Sequence, residues 1–201
     1  MKTYLIITLL AISFLFGNRS LASSNNSHFL IGPRSNIATS TPIDYGFWSF
    51  AVPVKGILSR SGQPTINEFK WLKSKDYKSI VNLRFDNEYK EIADDKKLIG
   101  FTKLNFNYLH LPVIDGAAPS NQQAETFLKF IKNKNNQPAL VHCRGGYGRT
   151  GTMVALYRYE IQKWKMNTAI KESRLFHGGI SDTQKKWLLA WAKNHPKNKI
   201  N

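Results

Sequence analysis

The sequence predicts an α/β fold: a central, mostly parallel sheet of about four or five strands flanked by helices, with a glycine-rich Cys-x5-Arg loop between the last strand and a helix. Three observations carry this. Short apolar runs, Ser79 to Leu83 and Pro138 to His142, alternate with longer segments of helical spacing, the order that builds a parallel sheet covered on both faces. Three glycines, Gly145, Gly146 and Gly148, follow the last apolar run directly, where a regular element would not tolerate them. No repeat or low-complexity tract divides the chain, so one domain over residues 42–201 suffices.

The elements follow in order. Ile43 to Phe50 is aromatic-rich and suited to packing on the domain. Gly56 to Ser61 reads as a short strand closed by Gly62-Gln63-Pro64. Thr65 with Glu68 three residues on is a capping box, so a helix starts there, and Phe69 and Leu72 are its apolar contacts. Ser79 to Leu83 is a buried strand. Glu88 to Ile99 is charged and helical in pattern. Phe106 to Val113 alternates as a strand that Pro112 stops. Ser120 to Asn133 is an amphipathic helix with Ala124, Phe127, Leu128 and Ile131 on one face. After the strand ending at His142, helices are expected from Arg149 through Tyr157, around Asn167 to Phe176, and over Asp182 to Asn194.

The bulk numbers narrow the class. The chain has 201 residues, 42% of them hydrophobic and 21% charged, which excludes disorder as the default and allows a sizeable core. A net charge of +16 draws the chain to anionic partners: phosphorylated substrates, acidic protein or a membrane surface. Nucleic acid is disfavoured, because no nucleic-acid motif accompanies the charge. Residues 1–22 read as an export signal: Lys2, the apolar run Leu5 to Phe16, and small residues ending at Ala22 ahead of cleavage. Residues 23–41 form a polar lead-in, and the expected location is periplasmic or secreted. One cysteine, Cys143, allows no internal disulfide. The five histidines form no ligand cluster, so neither metal nor other cofactor is expected.

The run Val141 to Gly151 carries the chemistry. A loop with these glycines turns its amides inward, and the helix that follows adds its positive pole, which suits an oxyanion of phosphate size. Cys143, beside that pole and an arginine, is placed to act as a thiolate nucleophile. Arg149 can hold two phosphate oxygens with its planar fork. Arg144, Gly145, Gly146, Tyr147 and Gly148 complete the phosphate cradle. The Thr150 hydroxyl is expected to donate to the sulfur, and His142 to fix the loop backbone from below. A structural cysteine beside a turn would explain Cys143 alone, but not His142, three glycines, Arg149 and Thr150 together.

His142-Cys143, five residues, then Arg149-Thr150, with Gly146 third after the cysteine, resembles the signature of protein tyrosine and dual-specificity phosphatases. Ser59 to Pro64 and Ile80 to Arg84 are similar to segments of bacterial dual-specificity-like members, so the resemblance covers most of residues 56–178. It implies a phosphoric monoester hydrolase with a phosphocysteine intermediate, acting on phosphotyrosine, phosphoserine or phosphothreonine proteins. It also implies an upstream aspartate as proton donor. Asp115, leaving a strand into Gly116-Ala117-Ala118-Pro119, fits that role; Asp86 is the runner-up, and Asp182 lies too far along the chain. Two other functions compete. An inositol phosphate or phosphoinositide phosphatase usually carries a second basic residue inside the loop, where this chain has Tyr147. A non-catalytic phosphate-binding module would need neither Cys143 nor an acid.

Overall fold

The computed structural model describes residues 47–88, 95–101, 103–176 and 179–197. The expected export signal, the polar lead-in and the start of the aromatic segment lie outside these residues. Five strands form one sheet: β1 (Ala51–Val54), β2 (Leu58–Ser61), β3 (Ser79–Asn82), β4 (Asn107–His110) and β5 (Ala139–His142). Their order is β1-β2-β5-β3-β4. The last four strands run parallel, and β1 pairs antiparallel with β2. β5, the strand that ends at the cysteine, is central and hydrogen-bonded on both sides, in register with Leu58–Ser61 and Ser79–Asn82.

Among the described residues, six α-helices accompany the sheet: α1 (Ile66–Ser74), α2 (Asp95–Phe101), α3 (Asn121–Lys132), α4 (Gly148–Glu160), α5 (Met166–Ser173) and α6 (Asp182–Asn194). α1, α3 and α6 begin on capping boxes set by Thr65–Glu68, Ser120–Gln123 and Ser181–Gln184. Period-2 alternation then divides the core. Ile80 and Leu140 face Phe69, Leu72, Phe47 and Phe50. Val81 and Val141 face Phe127, Ile131, Met153 and Leu156 on the other side. Full burial of each such side chain contributes roughly 1.5–3 kcal/mol.

The structure departs from the sequence reading at three places. β1 was not expected; its Pro53 is tolerated because this is an edge strand. The helix expected from Glu88 begins, within the described residues, at Asp95; Glu88 itself sits in a turn, and 89–94 lie outside the description. The strand expected over Phe106 to Val113 is regular only over Asn107–His110. Beyond it Leu111 and Val113 still donate to the Asn82 and Leu83 carbonyls, carrying the chain up to Asp115. Strands β2 to β5 all end on one side, so their carboxyl ends define a single crevice.

Candidate active site

The loop after β5 takes its shape from the segment after β2. The Gln63 amide donates to the Arg144 carbonyl at 2.8 Å, and the buried Arg60 guanidinium donates to the Gly146 carbonyl. With those carbonyls tied outward, the loop amides turn the other way, and the Gly146 amide reaches the Cys143 Sγ at 3.3 Å. Gly146 has φ of +78°, and a Cβ there would fall 2.6 Å from the Gly62 nitrogen. Both the torsion and the close approach demand glycine. Burial lowers the Arg60 pKa to about 10, while nearby Cys143 and Glu172 pull it back up; it remains a cation beneath the loop, stacked 3.7 Å over the Phe176 ring.

Arg149, in the first turn of α4, is 2% exposed and held at the Nη end of its guanidinium. Its Nη1 donates to Glu88 at 2.7 Å and to the Val113 carbonyl at 3.1 Å, and its Nη2 to the other Glu88 oxygen at 2.8 Å. Glu88 therefore grips the guanidinium end-on. The Nε proton and the second Nη2 proton share the remaining edge, and Nε is buried without a hydrogen bond. That edge is the geometry that receives two oxygens of a phosphoryl group. Burial raises the Glu88 pKa, but its hydrogen bonds and charge contact with Arg149 outweigh this and hold it below the ordinary carboxylate value.

Asp115 lies across the crevice, its Oδ1 3.3 Å from the Arg149 Nε and its side chain 63% exposed. α6 pins its loop: the Ser181 hydroxyl donates to the Gly116 carbonyl at 2.7 Å, and the Gln184 amide to the Ala117 carbonyl at 2.9 Å. Asp115, Cys143, Arg144, Gly145, Tyr147 and Gly148 line one cavity of about 790 Å³, with Trp48, Pro64, Ile66 and Leu98 on its walls. The Trp48 indole donates to the Tyr147 hydroxyl, joining the segment before β1 to the loop. Asp86, the runner-up acid, instead sits 3.7 Å from His110, and neither it nor Asp182 lines the cavity.

One expectation fails. The Thr150 hydroxyl does not donate to the sulfur; it is buried without a hydrogen bond, and the Gly146 amide is the donor to Sγ. The loop brings the backbone N–H close enough to take that place. Leaving a buried hydroxyl and the Arg149 Nε unpaired costs free energy that a bound oxyanion would recover. The His142 Nδ1 lies 3.3 Å from the Cys143 carbonyl. Sequence reasoning missed Glu88, Asp95, Gln63, Arg60 and Gln184. Gln63 and Arg60 both sat inside Ser59 to Pro64, a segment already singled out. Among the described residues, no cluster of His, Cys, Asp and Glu is arranged to hold a metal ion.

A thiol at the end of the central strand that accepts from a loop amide, a buried arginine in the first turn of the helix that follows, and a carboxyl beside that arginine define the class of cysteine-nucleophile phosphatases. Comparison with known proteins agrees. Residues 53–189 match a family described as a DSP-PTPase phosphatase fused to NAD+ kinase. OCA1 of Debaryomyces hansenii, which carries a tyrosine-protein phosphatase name, is 32% identical over 130 residues, 63% of this chain and 66% of that one. The dual specificity protein phosphatase CDC14A of Mus musculus is 36% identical over 89 residues, 44% of this chain and 13% of the relative. Among solved structures, TpbA of P. aeruginosa superposes with a TM-score of 0.62 at 20% identity, covering 77% of this chain and 89% of that one. The chain belongs to the cysteine-dependent dual-specificity phosphatase family.

Proposed function

We propose that the protein hydrolyses phosphoric monoesters through a phosphocysteine at Cys143, with phosphoproteins as substrates and phosphotyrosine the preferred residue. The observation that carries it is that Cys143 and Asp115 line one cavity while the Arg149 Nε, on the side of the guanidinium that Glu88 does not take, lies 3.3 Å from the Asp115 Oδ1. The Sγ thiolate attacks phosphorus; the S–P bond forms as the ester P–O bond breaks, and Asp115 gives its proton to the departing oxygen. The amides and the Arg149 edge take the charge on the equatorial oxygens. Water then attacks phosphorus, Asp115 recovers a proton from it, the S–P bond breaks, and phosphate leaves the restored thiolate.

The cavity walls favour an aromatic ester. Trp48, Tyr147, Pro64, Ile66 and Leu98 offer apolar surface, and Arg144 is the one cation among the described residues that line it. A ring that carries several phosphates would call for more positive charge there. TpbA has been solved in complex with phosphotyrosine and PTPMT1 in complex with PI(5)P, so proteins of this fold hold either kind of phosphate ester. The rates on a phosphotyrosine peptide and on an inositol polyphosphate decide between them; a faster inositol rate would overturn the preference. A burst of alcohol from an aryl phosphate, abolished in Cys143→Ser, separates an enzyme from a binding module. Asp115→Asn should slow alkyl phosphates roughly 10²–10⁴-fold and good aryl leaving groups far less. Equal slowing of both would remove Asp115 from the acid's role. Activity should survive a chelator.

Residues 1–22 support export with cleavage near Ala22, which an intact Met1 on the protein recovered outside the cytoplasm would refute. The +16 charge also favours contact with an anionic membrane surface. Equal sedimentation with anionic and neutral vesicles would dismiss that contact.

A further inference from the structure

The parallel strands start level with one another. Leu58, Ala139, Ser79 and Asn107, the first residues of β2, β5, β3 and β4, pair directly across the sheet. The turns that feed these strands therefore lie along one line, at the end of the sheet opposite the catalytic crevice. Each turn carries an exposed lysine: Lys55 between β1 and β2, Lys78 directly ahead of β3, Lys103 ahead of β4 and Lys134 ahead of β5. Lys75 and Lys132, where α1 and α3 close, stand exposed at the same end. At the spacing of neighbouring strands, a row across five of them is roughly 20 Å wide.

We propose that this amino end of the sheet is a docking face for an anionic lipid surface, which holds the enzyme with its catalytic cavity turned away from the membrane. The inference rests on the membrane contact proposed from the net charge, and goes beyond it by assigning the face and the orientation.

The two ends of the sheet differ in sign. At the crevice end Lys96, Lys97 and Arg144 are interspersed with Asp86, Asp115 and Asp182, all six exposed. At the amino end the one exposed carboxylate among the described residues is Asp76, and none of the lysines there forms an ion pair with a described carboxylate. Lysine at a helix C-terminus complements the helix dipole, which accounts for Lys75 and Lys132. It does not account for Lys55, in a hairpin turn, or for Lys78, well past the end of α1. Crowding of like charge is felt beside the row. Lys197 donates to the Trp164 carbonyl in the turn after α4, and burial, then Lys163, push its pKa down against the pull of Glu160. An anionic partner relieves such repulsion.

The residue types select the partner. The exposed cations of the row are lysines, mobile point charges without the planar fork that grips one phosphate group. Among the described residues the exposed Trp, Tyr and Phe rings are Trp48 and Phe85, both at the crevice end, so none stands at the row to stack on a nucleic-acid base. A level row of flexible cations matches a plane of diffuse negative charge, where many headgroups each supply a weak contact. With the crevice on the far side, the docked enzyme meets esters in solution, as the phosphoprotein reading requires.

The experiment sediments the full chain with vesicles of phosphatidylcholine alone and of phosphatidylcholine and phosphatidylserine in equal parts. It compares the wild type with the triple variant Lys78→Gln, Lys103→Gln, Lys134→Gln and with a control, Lys96→Gln, Lys97→Gln, Lys186→Gln, which removes the same charge from exposed sites elsewhere. At roughly fivefold per lysine, the first variant should bind the anionic vesicles about a hundredfold more weakly. The control should lose no more than about threefold, because its charges lie beyond a Debye length from the docked surface. Equal losses in the two variants would give the attraction to net charge rather than to a face; that overturns the proposal and leaves the membrane contact in place. A wild type that does not prefer anionic vesicles removes both. Tighter binding to duplex DNA, lost in the first variant alone, would hand the face to nucleic acid and overturn the lipid partner. Orientation is read by iodoacetamide alkylation of Cys143, the single cysteine, which lines the cavity and needs no turnover to report. Alkylation should proceed on vesicles as in solution, and protection by the anionic vesicles would place the cavity against the bilayer and defeat the inference.

Discussion

Helix α4 carries two arginines nine residues apart, each buried and each paired with a glutamate through two hydrogen bonds. Arg158 meets Glu172 side-on, with Nε at 2.8 Å from one oxygen and Nη2 at 2.6 Å from the other. Its Nη1 is taken by Gln162, and its face lies 4.2 Å over the Trp164 ring. Arg149 meets Glu88 end-on, through Nη1 and Nη2, and its Nε makes no hydrogen bond, with only the exposed Asp115 carboxyl 3.3 Å away. The chemistry is the same; the edge differs. A side-on pair consumes the edge that recognises a phosphoryl group, so Arg158 is committed to holding α4 against α5. An end-on pair fixes the guanidinium and leaves that edge for a ligand. The burial of an arginine therefore does not separate structure from function here, but the edge its carboxylate occupies does.

Breaking the committed pair should have the largest effect. Arg158→Met leaves Glu172 as an uncompensated buried charge, and about 3–5 kcal/mol of stability should go with it. Chemical denaturation measures the loss, and activity per folded molecule should stay within about twofold. A comparable fall in kcat/KM of the folded fraction would mean that α5 reaches into the site. Arg149→Lys comes next. Lysine can still neutralise Glu88 but has no planar edge for two oxygens. kcat/KM should fall roughly 10²–10³-fold, with much less change in stability than at Arg158. Weaker binding of vanadate, an analogue of the transferring phosphoryl group, should accompany it.

The two arginines were not equally legible in the sequence. Arg149 is announced by its distance from Cys143 and by the glycines between them, because a loop that bends its amides inward leaves a local compositional mark. The sheet and most helices left such marks too: capping boxes at Thr65, Ser120 and Ser181, and the two apolar runs that became β3 and β5. Glu88, Asp95 and Arg158 left none. Each sits in a charged or mixed stretch that reads as a solvated face, and each is drawn from solvent by a partner 61, 47 or 14 residues away, Asp95 and Arg158 fully and Glu88 in part. Long-range pairing of that kind has no period. β1 was missed for a related reason: an antiparallel edge strand needs neither alternation nor a run, only a free edge beside β2. Thr150 shows the reverse error: a hydroxyl next to Arg149 reads as a donor to the sulfur, but it is buried without a hydrogen bond and the Gly146 amide reaches Sγ instead.

The finest test of the comparison is Glu88→Gln. Glutamine can still place one oxygen and one nitrogen near the guanidinium, but it cannot accept on both sides, so Arg149 loses its fixed angle and keeps its charge. kcat/KM should fall about tenfold, less than in Arg149→Lys because the open edge survives. Acid stability gives a second reading. The folded Glu88 is held below its ordinary pKa of 4.5, so its contribution is complete above that pH and is lost as the pH falls through the folded value. Asp95 is also depressed and contributes in the same direction, so the wild-type curve alone does not isolate Glu88. The difference between the wild type and Glu88→Gln does: it should be constant above pH 4.5 and shrink below it. A difference independent of pH would mean that the charge of Glu88 contributes nothing to holding Arg149, and that shape alone keeps its catalytic edge open.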